Sequence, residues 1–238
     1  MTIRNSFRRN FCVPLFAVAT LLVAQMIPAY AGNDNPGVLP PNSHSNGATY
    51  AEWSARWWIW VLQQPVPTSP LLDTTGANCA AGQSGQVWYL AGTFGPGTAT
   101  RSCTIPTGKA LFFPVGNFFC AKSVLPGDAG LTYDICKQMA TQGMNTLTNL
   151  RADIDGVPVS NLQQYRVVSP EWSVVLPQNN LFNAFGVPGL DGTELTEGAS
   201  DGVYLMLAPL SAGHHVIHSH VDFPDGPIDV TYNLTVGH

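Results

Sequence analysis

Nine residues near the C-terminus alternate without a fault. In Ile228–Val236 the apolar side chains Ile228, Val230, Tyr232, Leu234 and Val236 interleave with Asp229, Thr231, Asn233 and Thr235. A period of two marks a strand with one face in a core and the other in water, so Asp229 and Thr231 are expected to look outward. Two runs precede it, the apolar Val203–Leu207 and the alternating His214–Asp222, with short turns between. Three strands so spaced predict an antiparallel β-sandwich of jelly-roll or immunoglobulin-like type. The 23 Gly and 19 Pro, with few charged residues, fit the same loop-rich, mainly β class.

Upstream, two helical periods interrupt this pattern. Tyr50, Trp53, Trp57, Trp60 and Val61 recur at steps of three and four, which predicts an amphipathic Trp-rich helix ending before Pro65. Four tryptophans in eight residues suit either sugar stacking or packing on a sheet, and the stripe spacing favours packing. Glu52 and Arg56 stand four apart, acid first, the favourable order for a surface pair. A second stripe, Cys136, Met139, Ala140, Gly143, Leu147 and Leu150, predicts an internal amphipathic helix capped by Thr132. Short strands are expected at 87–91, 101–105, 110–115, 165–168 and 172–176, with a hairpin turning at Asp155-Gly156. Asp73-Thr74-Thr75-Gly76-Ala77-Asn78 reads as Asx turns rather than a calcium loop, having no EF-hand spacing. Residues 177–201, with Asp191, Glu194, Glu197 and Asp201, read as one long acidic loop.

The first residues carry an address. Arg8-Arg9 precedes an uncharged apolar run from Phe11 to Pro28, and Ala29-Tyr30-Ala31 stands before Gly32. That order predicts a signal peptide over 1–31, cleaved near Ala31-Gly32, and a secreted or periplasmic protein with no membrane span in its mature part. Arg8-Arg9-Asn10-Phe11 partly matches a twin-arginine signal. Residues 32–47 are expected to be a flexible N-terminal segment and 48–238 a single β-sandwich domain with helical insertions. Removing 1–31 takes Arg4, Arg8 and Arg9, so the 10 basic residues become seven against 15 acidic, a net charge of −8. Clustered lysine and arginine underlie nucleic-acid binding, so nucleic acid is not an expected partner. Cys12 leaves with the signal, and Cys79, Cys103, Cys120 and Cys136 remain. An even number in an oxidising compartment predicts two disulfides. Three pairings exist; Cys79–Cys103 with Cys120–Cys136 is favoured because each closes a modest loop without crossing. Zinc is the competing use of four cysteines, but there is no C-x-x-C.

The histidines are the other concentration of chemistry. His214, His215, His218 and His220 fall within Gly213–Asp222. On a strand His214, His218, His220 and Asp222 share one face, and His215, Ile217, Ser219 and Val221 share the other. Ile217 and Val221 mark the second face as the core side, where His215 is expected to be a structural hydrogen-bonder. His214, His218, His220 and Asp222 are therefore the candidate ligands for copper or zinc, with Glu171, Asp201 or His44 as distant completions. Against this stands the plain reading of surface imidazoles bonded to neighbours and water. Tyr165 and Arg166 with a strand histidine are a thinner, lyase-like set. No G-x-S-x-G, H-E-x-x-H, P-loop or dinucleotide fingerprint occurs.

Trp53-Ser54-Ala55-Arg56-Trp57-Trp58-x-Trp60, Asp73-Thr74-Thr75-Gly76-Ala77-Asn78-Cys79 and Gly213-x-His215-x-Ile217-His218 together resemble a group of uncharacterised secreted bacterial proteins. The resemblance implies no activity. The favoured expectation is a secreted, disulfide-bonded sandwich that binds an extracellular glycan or protein ligand. The alternatives are a metal-dependent extracellular enzyme using the histidine strand, and a structural envelope or matrix protein.

Overall fold

The computed structural model describes residues 35–237, so the expected signal peptide and its cleavage point lie outside the described residues. The chain is mainly β. Its strands are β1 (Val87–Tyr89), β2 (Gly97–Pro106), β3 (Ala110–Lys122), β4 (Thr148–Ile154) and β5 (Val157–Pro158). They continue as β6 (Arg166–Val168), β7 (Trp172–Val175), β8 (Glu194–Leu207), β9 (Gly213–Phe223) and β10 (Gly226–Gly237). One sheet runs β1-β3-β8-β6, with β7 also on β8; the other runs β2-β10-β9-β4-β5.

Of the three C-terminal strands, β9 and β10 pair antiparallel while β8 lies in the other sheet, and each sheet adds a parallel pair. β1 lies parallel to β3, and β2 runs parallel to β10 from Gly97 beside Ile228 to Pro106 beside Gly237. Parallel neighbours need a long crossover, and β2 and β10 have most of the domain between them. The alternation of β10 holds: Val230, Tyr232, Leu234 and Val236 are buried, while Asn233 and Thr235 are exposed. The Asp155-Gly156 turn also forms, both residues at positive φ (52° and 77°), the conformation a two-residue hairpin demands.

The first sheet is a middle layer. On one face lies α1 (Tyr50–Leu62), where Phe112 stacks on Tyr204 at 5.3 Å beneath Tyr50 and Trp57. The other face meets the second sheet and α2 (Tyr133–Met144): Gly116 faces Val221 and Leu147, and Phe118 meets Phe223 at 5.2 Å. All four α1 tryptophans are buried, Trp58 included although it stands off the sequence stripe. Each indole N–H is anchored. Trp53, Trp57 and Trp60 donate to the carbonyls of Ser45, Leu90 and Ala81, and Trp58 donates to the Tyr204 hydroxyl. The tryptophans therefore fix α1 in the core.

The Glu52–Arg56 pair does not form. Glu52 is the third residue of a capping box, accepting from the Thr49 N–H at 2.8 Å, and Arg56 lies over the Trp53 ring at 4.5 Å. A cap satisfies an orphan backbone donor, worth about 1 kcal/mol, which outweighs an exposed pair of a few tenths. The leading segment is tied down from Asn35, which donates to the Ser160 carbonyl and the Tyr165 hydroxyl, and Val38 bridges Leu207. The second helix stops at Met144, so Leu147 and Leu150 fall in the turn after it and in β4. The last third of the expected acidic loop is strand, because β8 begins at Glu194. Its acidic residues hid it: Asp201 is buried, and Arg166 binds it through two hydrogen bonds of 2.9 and 2.7 Å.

Cys79–Cys103 and Cys120–Cys136 are bonded, as expected. The first staples the 73–79 loop to β2. Asp73 accepts from the backbone N–H groups of Thr75, Gly76 and Asn78, and Ser102 donates its N–H to the Thr75 carbonyl. Gly76 is obligatory there, since φ is +93° and a Cβ would fall 2.3 Å from the Ser102 oxygen. Beneath the loop sits buried Arg101. It donates to the carbonyls of Asp73, Ala91 and Gly92 and to the Tyr232 hydroxyl.

Candidate ligand-binding cleft

The outer face of β9 and β10 bears the histidine chemistry. Register sets His218 opposite Thr231 on one side and Asp153 on the other, and His220 between Asp229 and Arg151. Asp229 is the hub. Its Oδ2 lies 3.1 Å from His218 Nε2 and 3.0 Å from His220 Nδ1. His220 Nε2 reaches Asp222 at 3.1 Å, His218 Nδ1 lies 3.5 Å from Asp153, and Asn149 donates to Asp222. Partial burial opposes charge on Asp229, but the hydrogen bonds from the two imidazoles prevail and hold its carboxyl below the usual range. His214, at the far end of the face, meets the Thr235 hydroxyl at 3.2 Å.

The structure thus brings His218, His220 and Asp222 together, as the alternation implied, and leaves His214 apart. Among the described residues no group of three or more His, Cys, Asp or Glu side chains is arranged to hold a metal ion. Of the distant candidates, Asp201 is bound to Arg166 in the first sheet, and His44 sits near Glu52 at the start of α1. Tyr165 is buried and Arg166 is held by Asp201, so the lyase-like set does not assemble with the histidine strand. On the inner side, His215 behaves as expected. Its Nδ1 is 2.7 Å from Asp155 and its Nε2 3.0 Å from the Ser211 carbonyl. The Asp155 bond, reduced by partial burial and helped by Ser211, raises the pKa of His215.

Open space lies on the opposite side of the same hairpin. β1 pairs with β3 at three residues, Ala110 to Phe112, and then leaves to cross toward β2. From there on, no strand among the described residues pairs with that edge of β3, and a cleft of about 540 Å³ opens. Trp57 and Trp58 line it from α1, Phe118 and Phe119 from β3, Phe94 from the crossing segment, and Phe223 and Ile228 from the hairpin. Asn117, Thr93, Thr146 and Asp225 add the polar groups. Its volume suits a small organic molecule, and its lining is mostly apolar, as such sites usually are.

Sequence reasoning missed these residues for a reason of scale. Phe118, Phe119 and Phe223 carry no sequence signal that separates them from core residues, and the cleft lies beside the stretch of β3 that short β1 does not reach. Asp229 was legible as outward-facing; its role required the register between β9 and β10. Comparison with protein-family models, with curated proteins and with solved structures finds no match to this chain.

Proposed function

We propose that this protein is an exported, disulfide-stapled β-sandwich that holds a small apolar molecule in the aromatic cleft. One observation carries the reading: six aromatic side chains from four separate segments converge on open space that the fold leaves unfilled. Interiors pack to high density, so an apolar opening of this size is an exception that calls for an occupant. Export is supported by the two disulfides, which persist in oxidising compartments. Among the described residues no helix is long and apolar enough to cross a membrane.

A glycan has less support. The α1 tryptophans that suggested it are buried, with their N–H groups engaged by the protein. The outer histidine face acts in this reading as a solvated hydrogen-bond network that holds the hairpin in register.

The test is a fluorescence titration with N-phenyl-1-naphthylamine, a neutral probe that brightens in apolar surroundings. Gly92 lines the cleft, and a Cβ built on it meets nothing within 4 Å, so Gly92→Phe adds bulk at the cleft with room for its first carbon. Wild type should bind one equivalent, and G92F should bind at least about tenfold more weakly, a loss of about 1.4 kcal/mol. Equal binding by a folded G92F would contradict the proposal.

A further inference from the structure

The cleft has a chemical asymmetry that selects among apolar molecules. Each side-chain donor group in its lining already donates within the protein. Trp57 Nε1 donates to the Leu90 carbonyl at 2.9 Å, and Trp58 Nε1 to the Tyr204 hydroxyl at 3.1 Å. Asn117 Nδ2 donates to the same hydroxyl at 3.1 Å, Thr93 Oγ1 to the Gly95 carbonyl at 2.8 Å, and Thr146 Oγ1 to the Gly143 carbonyl at 2.7 Å. What remains are one N–H of Asn117 and the acceptors Asn117 Oδ1 and the Asp225 carboxylate, the carboxylate carrying the full charge. Asp225 is also the sole charged residue in the lining, which holds no lysine, arginine or histidine.

The aromatic rings act in the same direction. The face of a π-system is negative, and a cation close to Trp or Phe is attracted by about 0.5–2 kcal/mol, more when water is excluded. An organic anion entering this cleft would meet a carboxylate and, of side-chain donors, only the second N–H of Asn117. A neutral donor would gain one hydrogen bond. A cation with an apolar body would gain the rings, Asn117 and Asp225 together.

We infer that the ligand of this cleft is an organic cation, a protonated or quaternary amine carried on an apolar body, with its charged end toward Asp225 and Asn117. The inference rests on the cleft being the binding site. Three molecules sharing one apolar body separate the charge from the fit: 4-phenylbutylamine, 4-phenylbutan-1-ol and 4-phenylbutanoate. Each is titrated at pH 7 against N-phenyl-1-naphthylamine bound to the intact protein. The amine should displace the probe at about tenfold lower concentration than the alcohol, and the carboxylate should be the weakest of the three. In Asp225→Asn, a change in an exposed turn, the amine and alcohol should come within about twofold of each other. An alcohol as strong as the amine, or a carboxylate stronger than either, would overturn the cationic inference while the cleft still binds the probe. A probe that binds wild type and G92F alike would remove the cleft reading and this inference with it.

Discussion

The two faces of the β9–β10 hairpin are built from alternate residues of the same strands, yet they differ in almost every physical respect. The outer face carries His218, His220, Asp222 and Asp229, half-open to water and bonded to one another. On the inner face Ile217, Val221 and Val230 are buried, and at the hairpin end Phe223 and Ile228 border the cleft. Reactive side chains crowd the first face, but their nitrogens and oxygens are taken up by each other. Few reactive groups stand on the second, and it borders the space a ligand can enter. Concentrated chemistry in a sequence therefore marks a site only when its groups are left free, and the free groups here are the Asn117 amide and the Asp225 carboxylate among rings.

The sharpest way to break the comparison is to ask whether polar chemistry counts for more inside than outside. Arg101 is buried under three carbonyls and the Tyr232 hydroxyl; replacing it with Met removes the donor from the Asp73 and Gly92 carbonyls, while Ala91 and Tyr232 keep only their bonds to each other. R101M should lose about 3–5 kcal/mol of unfolding free energy in urea, because unsatisfied buried groups keep their full desolvation cost. A loss below about 1 kcal/mol would show that the inner polar network is dispensable.

Neighbours on β9 sharpen the contrast next. Ile217 is buried and paired with Tyr232, while His218 is partly exposed and paired with Thr231. Ile217→Ala should cost about 2–4 kcal/mol, from lost transfer energy and the cavity left behind. That corresponds to roughly 5–15 °C in Tm for a domain of this size. His218→Ala should cost under about 1 kcal/mol, as partly solvated ion pairs do. Similar losses in the two melting curves would erase the distinction between the faces.

The smallest effect concerns His215 and Asp155. The His215 pKa is raised by its bond to Asp155, so its contribution is complete below the ordinary imidazole value and fades as pH rises through the raised one. The Asp155 carboxyl is lowered: burial opposes its charge, but the His215 and Val216 bonds prevail, so its part fades only as pH falls through that lowered value. Between these limits the pair is intact. Wild type should exceed His215→Asn by about 0.5 kcal/mol near pH 5.5, discounted for solvent around Asp155, with the gap closing by pH 9. A gap independent of pH would make His215 a packing residue alone.

Much of the fold was legible residue by residue. The alternation of Ile228–Val236, the helix stripe of Tyr50–Val61 and the cysteine spacing each carry a local physical signal, and each corresponds to what forms. What was not legible depends on partners remote in sequence. β8 was obscured because Asp201 is neutralised by Arg166, 35 residues earlier. The parallel pairing of β2 with β10 has no local signature. Of the site, the grouping of His218, His220 and Asp222 followed from period two, whereas the binding of both imidazoles by Asp229 depended on register. The cleft had no signal at all, since it is the place a short strand leaves uncovered.

The most direct measurement is a crystal structure of the protein grown with N-phenyl-1-naphthylamine. The expected result is one probe molecule among Trp58, Phe118, Phe119 and Phe223, with the outer histidines unchanged. Density for the probe on the His218–His220 face, with the cleft empty, would contradict the account.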